Sequence, residues 1–180
     1  MIPLDSPEAV QTNYKEVLTM RNKIFVTRAD FHFDLQRFAD DVTYLDANGT
    51  EQTVSDATIL DGSETTLDSG WYIVNSDLEI NEQLYFSGDT HLILADGAKL
   101  TINGNLDGIF VEGTLNIYGQ SGGTGKLEAI GNNGIYANNG DVNIYGGQVT
   151  ANGNLDGIYA KALMCVCTMP SDYQFYYYQA

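Results

Sequence analysis

Three imperfect copies of one unit run from Lys99 to Ala160. They read KLTINGNLDGIFVEGTLNIYGQSGGTG from Lys99, KLEAIGNNGIYANNGDVNIYGG from Lys126 and QVTANGNLDGIYA from Gln148, with starts 27 and 22 residues apart. A repeat of that length is one supersecondary unit that buries its apolar side against the next copy. Within each copy, short runs alternate apolar and polar residues with period two, and Gly or Asn fills the gaps, which is the pattern of strands and turns.

The alternation assigns sides. In the first run Leu100 and Ile102, Leu127 and Ala129, and Val149 and Ala151 face in, with Thr101, Glu128 and Thr150 facing out. In the second, Ile109 with Val111, Ile135 with Ala137, and Ile158 with Ala160 face in, leaving Phe110, Tyr136 and Tyr159 outside. The third run buries Leu115, Ile117, Val142 and Ile144 and turns Asn116, Tyr118, Asn143 and Tyr145 out. Three strands of about four residues are too few for a four-stranded propeller blade, and the unit has no helical segment. The expected architecture is an all-β, right-handed parallel β-helix with three short strands per 22–27-residue coil, stacked at about 4.8 Å per coil. Unequal periods are accommodated in turns, at Gln120–Gly125 and Asn105–Asp107.

The segments GWYIV, HLILADGAKLTI, GTLNIYGQSGGTGKLEA and NIYGGQVTA resemble the Gly/Asn-rich repeats of bacterial surface and secreted proteins, of the carbohydrate-binding-domain-like or adhesin-like β-helix kind. The resemblance covers roughly half the chain and implies an extracellular or cell-surface location. It also implies display or binding of glycan or another surface component. It supplies no fixed catalytic residues, and none are carried over.

Along the chain, four stretches are expected: a helical and aromatic lead over 1–40, a polar hairpin or entry segment over 41–70, the β-helix over 71–161 and an atypical tail over 162–180. Ser6, Pro7 and Glu8 are helix-start residues, and Val10, Tyr14, Val17 and Leu18 form an apolar stripe, so a short helix is predicted from Ser6 to about Lys23. Phe25, Phe31, Phe33 and Phe38 follow; FHFDLQRFA resembles the start of some bacterial repeat-rich surface proteins and, to a lesser degree, of tailed-phage capsid proteins. Asn48-Gly49 predicts a hairpin turn. The strands Tyr72–Val74, Leu78–Ile80, Leu84–Phe86 and Leu92–Leu94 read as a first coil adapted as a cap. After Ala160 the repeat text gives way to KALMCVCTMP and a Tyr-rich end, which reads as a truncation or frame-shifted tail in place of further coils, with further coils or another subunit covering that end. No secretory signal is visible, and no run approaches the ~18 apolar residues of a membrane span.

Charge narrows the partners. The chain has a formal net charge of −16, and beyond residue 40 it holds 18 acidic against 3 basic residues. Nucleic acid needs Lys and Arg to neutralise phosphate and is excluded. A lyase on uronic acid chains needs basic groups too, and no Arg follows Arg37. A hydrolase needs carboxylates about 5 to 9.5 Å apart, whereas Asp107 and Asp156 occupy equivalent turns two coils apart, or roughly 10 Å. No enzyme activity is expected.

The turn residues Asp107 and Asp156, with Asn103, Asn105, Asn152 and Asn154, offer oxygen ligands for Ca²⁺, but the nonapeptide of calcium-binding rolls is absent. Left-handed turn geometry and side-chain-to-backbone bonds explain them without a metal, so no cofactor is expected. Cys165 and Cys167 lack the spaced partners of a zinc site and read as two inert or oxidisable thiols. Glu128 interrupts Thr101 and Thr150, which argues against an ice-binding array.

What remains is aromatic. Phe110, Tyr136 and Tyr159 are expected to stack along one outer face, and Tyr118 with Tyr145 along another beside Asn116 and Asn143. Tyr rings offer flat faces for sugar rings and Asn amides can bond hydroxyls, which makes these seven residues the candidate glycan surface. Like rings on successive coils also stabilise one another with no ligand, by a few tenths to about 1 kcal/mol per pair. Two further readings therefore stand beside the glycan module: a purely structural stalk and a fragment of a polysaccharide-active enzyme.

Overall fold

Period-two alternation puts half of each strand's side chains into a shared interior, and stacking identical strands satisfies their backbone groups. The chain does this on three faces. The structure, a computed structural model, describes residues 39–166. The predicted N-terminal helix, the FHFDLQRFAD aromatics and the tail beyond Val166 lie outside the described residues.

β1 (Val42–Leu45) and β2 (Glu51–Val54) form an antiparallel hairpin. Its turn is held by Asp46, whose Oδ1 accepts the Asn48 and Thr50 N–H groups at 2.9 Å each, and Gly49 takes a left-handed φ of 73°. The remaining strands are β3 (Thr58–Ile59), β4 (Thr66–Leu67), β5 (Gly70–Val74), β6 (Leu78–Ile80), β7 (Leu84–Leu94), β8 (Lys99–Asn103), β9 (Ile109–Gly119), β10 (Lys126–Ile144) and β11 (Gln148–Cys165). They pair only in parallel and wind into a β-solenoid of about four turns, with no helix among the described residues.

The first face stacks β6, β8 and the starts of β10 and β11, with Leu78, Leu100, Leu127 and Val149 in register. The second stacks β4, the first part of β7 and of β9, and the middle of β10 and β11, aligning Tyr85, Phe110, Tyr136 and Tyr159. The third stacks β3, β5 and the last parts of β7, β9, β10 and β11. Long strands bend at the corners between faces, so β10 and β11 each serve all three, with register shifts near Gly131 and after Ala137. At one corner Gly88 pairs with Gly113 on the next coil. Gly113 has φ 134°, and a Cβ there would sit 2.2 Å from the Gly88 carbonyl oxygen, so only glycine fits.

The interior is filled by Leu60, Phe86, Leu92, Leu100, Ile102, Ile109, Leu115, Ile117 and Leu127, all essentially inaccessible to solvent. Burying a side chain of this kind contributes roughly 1.5–3 kcal/mol. The solenoid reaches further in both directions than the sequence boundaries of 71 and 161. It begins at Thr58, whose short strand pairs with β5. It continues to Cys165, because Leu163 and Cys165 take up the inward positions opposite Val142 and Ile144 although the residues around them no longer look like the repeat. Cys165 is disulfide-bonded. Among the described residues β11 pairs with β10 alone, and its inward Val149, Ile158 and Leu163 are only partly buried.

Candidate functional site: two aromatic ladders and a corner cleft

Outward side chains on successive coils lie one above another, so equivalent aromatics become a ladder. On the second face Tyr85, Phe110, Tyr136 and Tyr159 form an unbroken one, with ring centroids 5.3, 5.6 and 5.2 Å apart and interplanar angles of 11°, 40° and 15°. All four rings are partly exposed. The hydroxyl of Tyr85 donates to Glu112 on the coil above. Tyr85 escapes a search for copies of the unit because it precedes the first clear copy; aligning LYF at Leu84 with IFV at Ile109 finds it.

The second expected ladder is present but is not an open surface. Tyr118 and Tyr145 stack at 5.0 Å, and Tyr118 also meets the adjacent column of His91 and Trp71, which lie 4.2 Å apart and nearly parallel. Tyr118 is only 8% exposed and Asn116 6%. The cause is the β1–β2 hairpin, which lies over this face. Tyr44 packs at 4.8 Å on both Trp71 and Tyr118, and Val42, Ala57, Ile73, Ile93 and Tyr118 make a second small core outside the coil. Gln120 fixes the strap by donating from Nε2 to the Thr43 carbonyl at 3.0 Å. Tyr118 shares a 3.0 Å hydrogen bond with His91 Nδ1. Burial, with Tyr145, Tyr44 and Asp89 nearby, pushes its hydroxyl well above the ordinary phenol range.

The Asn pair beside it is also committed within the protein. Asn143 Nδ2 donates to Asn116 Oδ1 at 2.9 Å, and Asn116 Nδ2 donates to Asp89 Oδ1 at 2.9 Å. The expectation that Asn116 and Tyr118 present an open face is thereby corrected: hairpin cover and an axial amide ladder occupy them. Asn143 and Tyr145 remain partly exposed at the edge of the strap. The seven candidates thus separate, with Phe110, Tyr136 and Tyr159 on the open ladder and the other four under or beside the hairpin.

A third feature lies at the corner between the first and second faces. The corner spans five residues in one coil (Gly104–Gly108), four in the next (Gly131–Gly134) and five again (Gly153–Gly157), so a low step separates two raised ones. The result is a cleft of about 320 Å³ between Asn105 and Leu106 on one wall and Asn152, Gly153 and Asn154 on the other, floored by Ile130, Gly131 and Asn132. The walls are welded by backbone bonds from Gly104 N–H to the Ile130 carbonyl (2.8 Å) and from Gly108 N–H to the Asn133 carbonyl (2.9 Å). Asp107 turns its carboxylate inward, where Oδ1 accepts the Asn133 N–H (3.0 Å) and Nδ2 (2.8 Å). Among the described residues no group of three or more His, Cys, Asp and Glu side chains is arranged to hold a metal.

These features define a β-solenoid repeat protein. No family model matches the chain, and neither a curated protein nor a solved structure matches it.

Proposed function

We propose that the chain is a non-catalytic β-solenoid module of a bacterial surface or secreted protein, contacting glycan or another surface component through the open ladder Tyr85–Phe110–Tyr136–Tyr159. The observation that carries this reading is the contrast in cover: one aromatic column is roofed by a hairpin, while an equally continuous one keeps its rings partly exposed. Partly exposed aromatic rings in an unbroken row offer stacking faces at a repeat set by the coil. The reading is tested by a glycan-array screen of the full chain beside Tyr136→Ala/Tyr159→Ala, with circular dichroism confirming that both are β-rich. Binding that the double variant loses supports it; absence of binding by the intact chain overturns the glycan reading.

The stalk reading has its own support, because the four rings contact one another and so are partly satisfied without a ligand. It predicts no glycan binding and a loss of stability in the same variant. A polysaccharide-active enzyme predicts turnover abolished by Asp107→Asn or Asp156→Asn.

A further inference from the structure

Unlike the ladder, the corner cleft is concave. It is built on tightly folded glycine corners, and every residue lining it is uncharged. The last is notable on a chain with 18 acidic residues beyond position 40: neither of the two corner carboxylates, Asp107 and Asp156, lines the cleft, and Asp107 is turned to Asn133. The glycines let the corners fold back on themselves. A Cβ at Gly104 would lie 1.8 Å from the Asp107 carbonyl oxygen, and one at Gly153 1.8 Å from that of Asp156.

The lining chemistry is specific in kind. Asn105, Asn132, Asn152 and Asn154 are exposed and each brings an amide that both donates and accepts. Leu106 (61% exposed) and Ile130 (37%) bring aliphatic surface into the same small volume. No basic side chain is present to hold phosphate, sulfate or a uronate, and the negative charge of the whole chain repels such groups. A solute that matches has hydroxyls on its rim and a C–H face, which is a neutral pyranose. The volume is at the small end for small-molecule sites and accommodates about one ring rather than an extended chain.

We infer that the cleft between the Gly104–Gly108 and Gly153–Gly157 corners is a binding subsite for a single neutral sugar unit, its amides bonding hydroxyls and Leu106 with Ile130 meeting the C–H face. The inference rests on the glycan reading of the module and narrows it to uncharged sugars, at a place separate from the aromatic ladder.

The test is a titration of the isotope-labelled full chain, followed by amide NMR shifts, with cellobiose, N,N′-diacetylchitobiose and digalacturonic acid as probes. The expected result is saturable shifts in the side-chain amides of Asn105, Asn132 and Asn154 and the backbone of Gly131 with a neutral disaccharide, and none with the diuronate. Asn105→Ala/Asn154→Ala removes two bonding partners and is expected to weaken that binding about tenfold. Asn132→Trp, at an exposed position on the floor, is expected to abolish it while leaving the remaining spectrum in place. Shifts confined to Tyr85, Phe110, Tyr136 and Tyr159 would overturn the subsite and leave the ladder reading standing. Preference for the diuronate would overturn the ligand class. No shift with any probe would overturn the subsite, and with an array on which the intact chain binds nothing, the glycan reading as well.

Discussion

The two aromatic ladders begin from the same construction and end in different environments. Both place rings on successive coils at centroid separations near 5 Å. The third-face ladder is flanked by an outward aliphatic column, Ile59, Ile73 and Ile93, in register with Tyr118, whereas the second-face ladder has Ser87 and Glu112 beside it. Apolar neighbours make a wide patch that gains from cover, and the hairpin supplies it; polar neighbours leave the rings as a narrow stripe that water tolerates. Cover, rather than ring stacking, is therefore what separates a structural column from an accessible one.

The largest effect expected from breaking this contrast is at Tyr118. Replacing it by Ala opens a cavity under the hairpin, removes the His91 hydrogen bond and strips contacts from Trp71, Tyr44 and Tyr145. Truncation of a buried aromatic costs about 3–5 kcal/mol, so denaturant unfolding of Tyr118→Ala should move to markedly lower midpoint. Tyr44→Ala, which removes the hairpin's own ring but leaves the coil intact, should cost less, about 1–2 kcal/mol. Near-UV circular dichroism of Trp71 should change in both, since each touches that ring.

The contrast was partly legible in the sequence. Period-two alternation is a strong signal where one side of a strand meets solvent, and it located the coils, their inward residues and the aligned aromatics Phe110, Tyr136 and Tyr159. It assigns only two sides, inside and outside, and cannot tell whether another segment lies over the outside. Yet WYIV at Trp71 and LIL at Leu92 are uninterrupted apolar runs, the signature of strands covered on both faces, and they are the strands under the hairpin. The hairpin itself was visible at Asn48-Gly49, but nothing local in it says which face it will roof. Corner cleft and Tyr85 were missed for a related reason: both depend on comparing coils residue by residue, where a one-residue difference in turn length or a departure from the repeat hides the alignment. Leu163 and Cys165 show the converse, a sequence that stops resembling the repeat while its inward positions keep the coil going.

A graded effect is expected from alkaline pH. The Tyr118 hydroxyl is held above its ordinary value chiefly by burial, and Tyr44 and Tyr72 are raised for the same leading reason. A raised folded value means the unfolded chain releases these protons first. The stability that goes with the neutral phenols is thus fully present below the unfolded value of about 10 and declines as pH rises above it. Unfolding midpoints measured from pH 8 upward should fall above about pH 10, and Tyr118→Phe should flatten that fall without removing it, because Tyr44 and Tyr72 still titrate.

The smallest effect is on the open side and bears most directly on function. Tyr136 lies between Phe110 and Tyr159, so truncating it removes two ring contacts, but the ring is already partly exposed and leaves no enclosed cavity. Each such pair contributes only a few tenths to about 1 kcal/mol, so Tyr136→Ala should lose about 1 kcal/mol, well under the cost of Tyr118→Ala. A loss comparable with that of Tyr118→Ala would mean that the open ladder is as structural as the covered one, and would favour the stalk. A small loss of stability combined with loss of glycan binding would separate the two ladders by role: one column holds the hairpin to the coil, and the other is retained for contact with something outside it.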